Sequence, residues 1–320
     1  MGLLEHVRKG CAAVASKARH VHIAYDRIPA YASSLPLKQA TLPEHDPSTH
    51  FIDQGTDTVA FFVTLDAINF GSGYFPHLRK RAGKSGYFSV AASLTDYYRE
   101  YGPLPAEHLA RITKEECTGI FGQDPGNETV QELMQLFADA LNDLGSYLLD
   151  RFSGSLMKLV ESAGGSAERL AQILGEMRYF NDVERYGELD VPFYKRAQLT
   201  AADLSLAFGG RSYGRFDDLD QLTIFADNLV PHVLRMDGLL VYEKDLAARI
   251  DTEQLIPAGS EEEVEIRGCA VHTVELIKQD LLKNGKVVTS MGLDYLLWNR
   301  GQQSYYKLGK PRHRTRTVYY

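Results

Sequence analysis

Apolar residues recur at three- and four-residue intervals along most of the chain, as they do in helices that bury one face. The longest such stretch covers residues 128–159, and its apolar positions include Val130, Leu133, Leu136, Phe137, Leu141, Leu144 and Leu148. A Gly-Gly-Ser sequence at residues 164–166 interrupts the pattern, which resumes over residues 167–177. The spacing therefore predicts two successive helices separated by a turn.

Another long helix is predicted from the signal at its start. Ser260, followed three residues later by Glu263, is a capping-box sequence, and a turn sequence containing proline and glycine lies directly before it. The helix is expected to run toward Leu282, because an Asn-Gly turn sequence follows at residues 284–285.

Strand signals are few. The C-terminal residues 314–320, RTRTVYY, alternate in polarity as an edge strand does. Residues 208–220 are rich in glycine and aspartate and are the strongest loop candidate. We therefore expect a mainly α fold with little strand. Residues 1–320 are expected to form one domain of two helical subdomains, whose boundary the sequence leaves open.

Composition narrows the class of protein. The 320 residues carry a formal net charge of −7 with a pI of about 5.8, which argues against a general nucleic-acid binder, since phosphate contacts need a basic surface. Cys11, Cys117 and Cys269 are far apart and form no paired motif, as expected in a reducing cytoplasm. No apolar run approaches the length of a membrane span. These features predict a cytoplasmic protein that binds neither membranes nor, stably, nucleic acid.

Motifs for phosphate and metal binding are incomplete. Gly83-Lys84-Ser85 resembles the end of a P-loop, but Leu78 stands where the first glycine is required. His45 and His50 are close in sequence, but no carboxylate–histidine frame accompanies them. We therefore predict no metal site and no cofactor.

Three carboxylates, Asp66, Asp227 and Asp294, interrupt apolar runs. An ionised aspartate among core residues costs free energy unless its desolvation is compensated. Each has an aromatic residue near it in sequence: Phe70, Phe225 and Tyr295 respectively. The combination suggests a pocket with acidic and stacking groups. For Asp66 a structural role is favoured, whereas for Asp227 two roles stay open, a helix cap and a catalytic residue.

Basic residues supply the opposite charge. Lys195 and Arg196 lie shortly after Pro192, and the C-terminal segment contains Lys307, Lys310, Arg312, Arg314 and Arg316. An acidic pocket with a basic rim suits a zwitterionic ligand or one that carries phosphate. For most of the C-terminal segment, solvated surface charge is the favoured interpretation.

Five segments form an ordered set of motifs: NFGSGYFP at 69–76, FYKRAQLTAADL at 193–204, IFADNLVPHVLR at 224–235, IPAGSEEEVEIRG at 256–268 and LDYLLWNRG at 293–301. Together they resemble the queuosine salvage protein family, whose members are queuosine 5′-phosphate N-glycosylases. The resemblance implies a helical fold like that of helix-hairpin-helix DNA glycosylases. It also implies hydrolysis of the bond between ribose and queuine, a 7-deazaguanine that carries an aminomethyl-cyclopentenediol.

The same resemblance implies roles for particular residues. In the IFAD and LDYLLW motifs, Asp227 is the implied catalytic residue, and the implied substrate-binding residues are Phe225, Asp294 and Tyr295. A histidine before the DAINF segment also contributes in the family, and we prefer His50 to His45 for it. Lys195 of the matched FYKRAQ motif and Asn299, where some relatives are expected to carry aspartate, complete the expected substrate contacts.

These residue types suit the implied chemistry. Cleavage of an N-glycosidic bond builds positive charge on the ribose, which a carboxylate beside the anomeric carbon stabilises. The base has carbon in place of N7, so the usual route of leaving-group protonation is closed. A second carboxylate can accept hydrogen bonds from N1–H and the 2-amino group, and an aromatic ring can stack on the base.

Which carboxylate is the nucleophile and which only stabilises charge stays open. Two other functions stay open too: a DNA or RNA base glycosylase, and a non-catalytic protein that binds queuine or a nucleotide. The acidic balance of the chain counts against the first. The second would need Phe225, Asp294 and Tyr295 but no carboxylate at the anomeric carbon. We expect a small nucleotide, queuosine 5′-phosphate, as substrate and queuine as product.

Overall fold

The computed structural model describes residues 2–37 and 44–320. The structure is 58% helix and 5% strand, which confirms the prediction of a mainly α fold. The described residues form helices α1 to α15, which are Leu3–Lys17, Ile28–Ser34, Thr56–Ala67, Gly86–Tyr101, Ala106–Leu109, Lys114–Ile120, Glu128–Phe152, Leu156–Glu161, Ala167–Leu174, Lys195–Ala207, Leu229–Met236, Lys244–Asp251, Glu261–Lys283, Ser290–Gly301 and Ser304–Gly309. Strands β1 to β4 are Val21–Ile23, Val183–Tyr186, Leu189–Pro192 and Leu240–Tyr242.

Contacts along the chain group these elements into two compact units. Among the described residues, the first unit comprises 2–37, 182–195 and 220–316, and the second comprises 44–181, 196–219 and 317–320. The division falls after Lys195, the first residue of α10.

The first unit is organised around α13, which packs against α1, α2 and β1, while α11 packs against α14. Ser260 caps α13 as the sequence predicts, because its side chain accepts a hydrogen bond from the Glu263 N–H. The carboxylate of Glu263 lies 3.6 Å from Arg267 one turn further on. The helix ends at Lys283, and Gly285 follows it with a φ of 72°, which confirms the predicted turn.

Both strand pairs lie in the first unit: β1 pairs with β4, and β2 pairs with β3, each antiparallel. Each strand has only three or four residues, too few for alternation to identify from sequence. The prediction of an edge strand at residues 314–320 is wrong, because only Arg314 forms a bridge, with Leu255. Thr315 and Thr317 are buried and their neighbours less so. The alternation in the sequence thus reflects an extended chain rather than strand pairing.

The second unit is built on α7 and α3. α7 packs against α3, α5, α6 and α8, and its buried residues follow the predicted apolar spacing. The helix predicted over residues 128–159 is interrupted at Ser153, which adopts a left-handed conformation with φ 53°, and α8 begins three residues later. Ser166 caps α9 after the predicted Gly-Gly-Ser turn. Residues 208–220 form turns and short 3₁₀ segments, which confirms the predicted loop.

None of the described helices is both long enough and apolar enough to cross a membrane.

Candidate active site

Asp294 is a buried carboxyl group in the first unit. It lies in α14, which begins where the Thr289 side chain accepts a hydrogen bond from the Gly292 N–H. Asp294 is only 3% exposed, and its Oδ1 accepts a hydrogen bond of 2.9 Å from the Phe225 N–H. Burial raises the pKa of Asp294 well above its usual range, and the nearby charge of Asp227 raises it further, against the opposing effects of the Phe225 N–H and the Lys195 cation. The folded protein therefore favours the protonated form of Asp294 more than water does.

Asp227 lies in a different environment. It is half-buried and lies two residues before the start of α11, where its Oδ1 accepts hydrogen bonds from the N–H groups of Leu229 at 2.7 Å and Val230 at 3.3 Å. These are the bonds of a helix cap, so one of the two roles considered for Asp227 has direct geometric support. Both bonds use Oδ1, and Oδ2 has no hydrogen-bond partner within residues 2–37 and 44–320. Capping thus orients the carboxylate and leaves one of its oxygens for a ligand.

Two aromatic rings accompany the carboxylates. The centroids of Phe225 and Tyr295 are 6.0 Å apart, with an angle of 64° between the ring planes. Both residues are buried, and each is a chain neighbour of the acidic pair: Phe225 lies two residues before Asp227, and Tyr295 directly follows Asp294. The structure thus brings these four residues, the carboxylate cluster, together in the first unit.

A buried ion pair supports the carboxylate cluster. Arg267 of α13 donates two hydrogen bonds to the carboxylate of Asp182, at 3.0 and 2.6 Å, and a third of 2.9 Å to the carbonyl of Ala226. Asp182 also accepts a hydrogen bond from the Lys195 N–H at 3.0 Å. The pair therefore fixes both the backbone between Phe225 and Asp227 and the start of α10.

Sequence reasoning missed this pair. The signal for Arg267 was its place among the buried residues of α13, because a buried guanidinium needs an anionic partner. The sequence did not identify that partner, since Asp182 lies 85 residues away.

The adjacent cations Lys195 and Arg196 differ in their surroundings. Lys195 is buried, and its charge opposes the rise in the pKa of Asp294, so it acts electrostatically on the carboxylate cluster. Arg196 belongs to the second unit, where its guanidinium donates to backbone carbonyls of Asp66, Ala67, Tyr179 and Val318. The expectation that Arg196 contributes to a basic rim is wrong, because the carbonyls at the end of α3 and in the C-terminal segment bind it.

The expected histidine lies in the second unit within the histidine cluster, which we define as His45, His50, Phe62 and Tyr87. His50 is 4% exposed, and its ring nitrogens lie 3.0 Å from the Thr49 Oγ1 and 3.0 Å from the Tyr87 hydroxyl. The ring of His45 lies 4.7 Å from that of His50, and both rings contact Phe62. Burial lowers the pKa of each histidine to about 4, so both are neutral at pH 7.

Both candidates for the expected histidine, His45 and His50, lie in this cluster. Asp66 is buried at the end of α3 and accepts a hydrogen bond of 3.4 Å from the Asn69 side chain. This contact fits its expected structural role.

Asn299 is not part of either cluster. It is exposed on α14, four residues after Tyr295, and its side chain makes no hydrogen bond with any residue that the structure describes. Within the same part of the chain, no three histidine, cysteine or acidic side chains are grouped as a metal site requires.

Comparison with known proteins matches this chain to one family and to relatives that share one name. Residues 49–320 match the family model described as queuosine salvage protein. A protein of Sphaerobacter thermophilus is 36% identical over 326 residues, covering 100% of this chain and 98% of the relative. A protein of Mus musculus is 30% identical over 333 residues, covering 98% of both chains, and one of Dictyostelium discoideum is 36% identical over 216 residues, covering 67% of this chain and 65% of the relative. All three relatives are named queuosine 5′-phosphate N-glycosylase/hydrolase.

Proposed function

The chain belongs to the queuosine salvage protein family, and we propose that the carboxylate cluster of its first unit is the site of catalysis. The protein is an N-glycosyl hydrolase that acts on queuosine 5′-phosphate. Cleavage of the N-glycosidic bond by water gives queuine and ribose 5-phosphate. The observation that carries the proposal is the pairing of two carboxyl groups in contrasting environments, Asp227 and Asp294, with two aromatic rings.

Asp227 is assigned to the ribose. Positive charge develops on the sugar as the bond to the base lengthens, and a fixed carboxylate stabilises that charge without having to reorient. The two N–H groups at the start of α11 hold Oδ1 in place. Oδ2 is the oxygen we assign to the anomeric carbon.

Asp294 is assigned to the base. Queuine presents N1–H and a 2-amino group, two donors that match the two oxygens of an ionised carboxylate. Hydrogen bonds to the charged form lower a carboxyl pKa, so binding of the base would release the proton that burial retains on Asp294. The Lys195 cation favours the same change, because it already opposes the raised pKa of Asp294. Phe225 and Tyr295 are assigned to stacking on the base.

The remaining assignments are substrate contacts. His50, with His45 as the alternative, supplies a neutral imidazole, and Lys195 and Asn299 supply polar contacts. No metal or cofactor is needed, since the reaction is a hydrolysis driven by charge stabilisation. We further propose that residues 1–320 form one domain related to the helix-hairpin-helix DNA glycosylases, and that the protein acts in the cytoplasm without stable nucleic-acid binding.

The test compares the mononucleotide with polynucleotide. Purified protein is incubated with queuosine 5′-phosphate and, in parallel, with intact queuosine-containing tRNA, and free queuine is measured by mass spectrometry. Queuine is expected from the mononucleotide only, because a net charge of −7 disfavours the phosphate contacts that tRNA binding requires. Equal release from both substrates would support a base glycosylase that acts on polynucleotides.

A further inference from the structure

Arg312 differs from its basic neighbours in the C-terminal segment. Lys310 lies 3.6 Å from Asp251, and Arg314 lies 3.8 Å from Glu253. Arg312 is open to solvent over part of its surface and makes no hydrogen bond or ion pair with any residue in the described ranges. It is therefore a cation without a resident counter-ion.

The backbone after Arg312 is anchored beside the carboxylate cluster. The side chain of Asn228, the residue after Asp227, donates a hydrogen bond of 3.3 Å to the carbonyl of His313. The Ile256 N–H donates one of 2.8 Å to the carbonyl of Arg314, and His313 itself is buried. These bonds place Arg312 near Asp227 and restrict the position of its backbone.

The charges around this position favour an anion. Desolvation lowers the pKa of Arg312, and the carboxylate of Asp227 opposes that change, so the two groups interact without forming a direct ion pair. Burial lowers the pKa of His313 to about 3, and the cations Arg267 and Arg312 lower it further. Positive potential near a partly open surface attracts a negatively charged ligand group.

We propose that Arg312 binds the 5′-phosphate of the substrate. The inference rests on the proposed reaction at Asp227. The anomeric carbon and the phosphate belong to the same ribose phosphate, so a carboxylate at one end requires a phosphate-binding group nearby. A guanidinium can donate two parallel hydrogen bonds to a phosphate. Arg196 cannot take this role because backbone carbonyls bind its guanidinium, and the charge of Lys195 acts on Asp294, which is assigned to the base.

The experiment measures kcat/KM for queuosine 5′-phosphate and for the nucleoside queuosine, in the wild type, Arg312→Gln and Arg312→Lys. The wild type is expected to prefer the nucleotide. Arg312→Gln should lose roughly 10- to 100-fold with the nucleotide, the range for hydrogen bonds to a charged group, and no more than about threefold with the nucleoside. Arg312→Lys keeps the charge but not the paired donors, so its kcat/KM with the nucleotide should lie between the values of the wild type and Arg312→Gln.

Lys310→Gln is the matched control, because it removes a nearby cation that already has a partner. It should leave both substrates unaffected. As an independent measure of binding, ribose 5-phosphate should inhibit the wild type competitively and Arg312→Gln more weakly. Melting curves check that each variant is folded.

Other results would contradict either the role of Arg312 or the proposed function. If Arg312→Gln lowers kcat/KM equally with both substrates, Arg312 acts through Asp227 and the proposal of phosphate binding is wrong. Unchanged kinetics of Arg312→Gln would also overturn phosphate binding. So would a wild type that does not prefer the nucleotide. If the wild type releases queuine from neither substrate, the proposed function itself fails.

Discussion

The carboxylate cluster of the first unit and the histidine cluster of the second both bury ionisable groups beside aromatic rings. Their partners differ. Asp294 is influenced by formal charges, namely Asp227 and Lys195. His50 instead contacts the neutral hydroxyls of Thr49 and Tyr87.

Burial drives both clusters toward their neutral forms, which means a raised pKa for Asp294 and lowered pKa values for His45 and His50. In the carboxylate cluster, cations can stabilise a negative charge when a ligand arrives. In the histidine cluster, Asp46 opposes the lowering of the His50 pKa only in part, so burial keeps the imidazole neutral. The comparison indicates that the first cluster is suited to changes of charge during a reaction, and the second to hydrogen bonding and shape.

The largest effect is expected from Arg267→Met, which should destabilise the first unit by removing the ion pair that supports the carboxylate cluster. It leaves Asp182 as a buried charge without its partner, which typically costs roughly 3–5 kcal/mol of the free energy of unfolding. Denaturant unfolding measures the loss. Adding Asp182→Asn should recover part of it, because the charge of Asp182 is then gone, whereas the buried carboxylate of Glu263, 3.6 Å from Arg267 in the wild type, keeps its charge. A loss below about 1 kcal/mol for the single variant would show that the ion pair does not stabilise the first unit.

Asp227→Asn should affect the reaction rather than the fold. Asparagine keeps the cap on α11 but removes the negative charge, so turnover should fall by roughly two to three orders of magnitude while queuine binding changes little. The free energy of unfolding should change by less than about 1 kcal/mol. Single-turnover kinetics and a melting curve test both parts. A fully active, normally stable variant would leave Asp227 as a helix cap only and would favour Asp294 as the catalytic carboxylate.

The histidine cluster should make stability depend on pH. The folded pKa of His50 is about 4, below the ordinary value of 6.5, so its contribution is fully present above pH 6.5 and is lost as the pH falls toward 4. The loss should be roughly 2–3 kcal/mol. His50→Gln should show a smaller decrease in stability between pH 7 and 4.5 than the wild type, whereas the exposed control His22→Gln should behave like the wild type. Identical pH profiles for all three proteins would contradict the assignment.

The smallest expected effect is a proton linked to queuine binding at Asp294. Because its pKa is raised in the unliganded protein and the base should favour the ionised form, affinity should increase with pH, by at most about tenfold per pH unit. Calorimetry in buffers with different ionisation enthalpies would detect the released proton. Asp294→Asn should abolish the release. If queuine binds to the wild type without releasing a proton, the base does not contact an ionised Asp294.

Several features were determined by the sequence alone, because their physical causes are local. Apolar spacing predicted α7 and α9, and the Ser260 cap predicted the start of α13, since helical periodicity and capping involve residues within a few positions of each other. Family motifs singled out the residues of the carboxylate cluster, which the structure brings together.

Other features were decided only by the tertiary structure. The pairing of Arg267 with Asp182, the binding of Arg196 by carbonyls and the hydrogen bond from Asn228 to the carbonyl of His313 all join residues far apart in the chain. A charged residue has the same sequence signature whether its partner is water, a carbonyl or a carboxylate. Only the packing of helices that are distant in sequence determines which of these partners it meets, and therefore whether the residue stabilises the fold or remains available for a ligand.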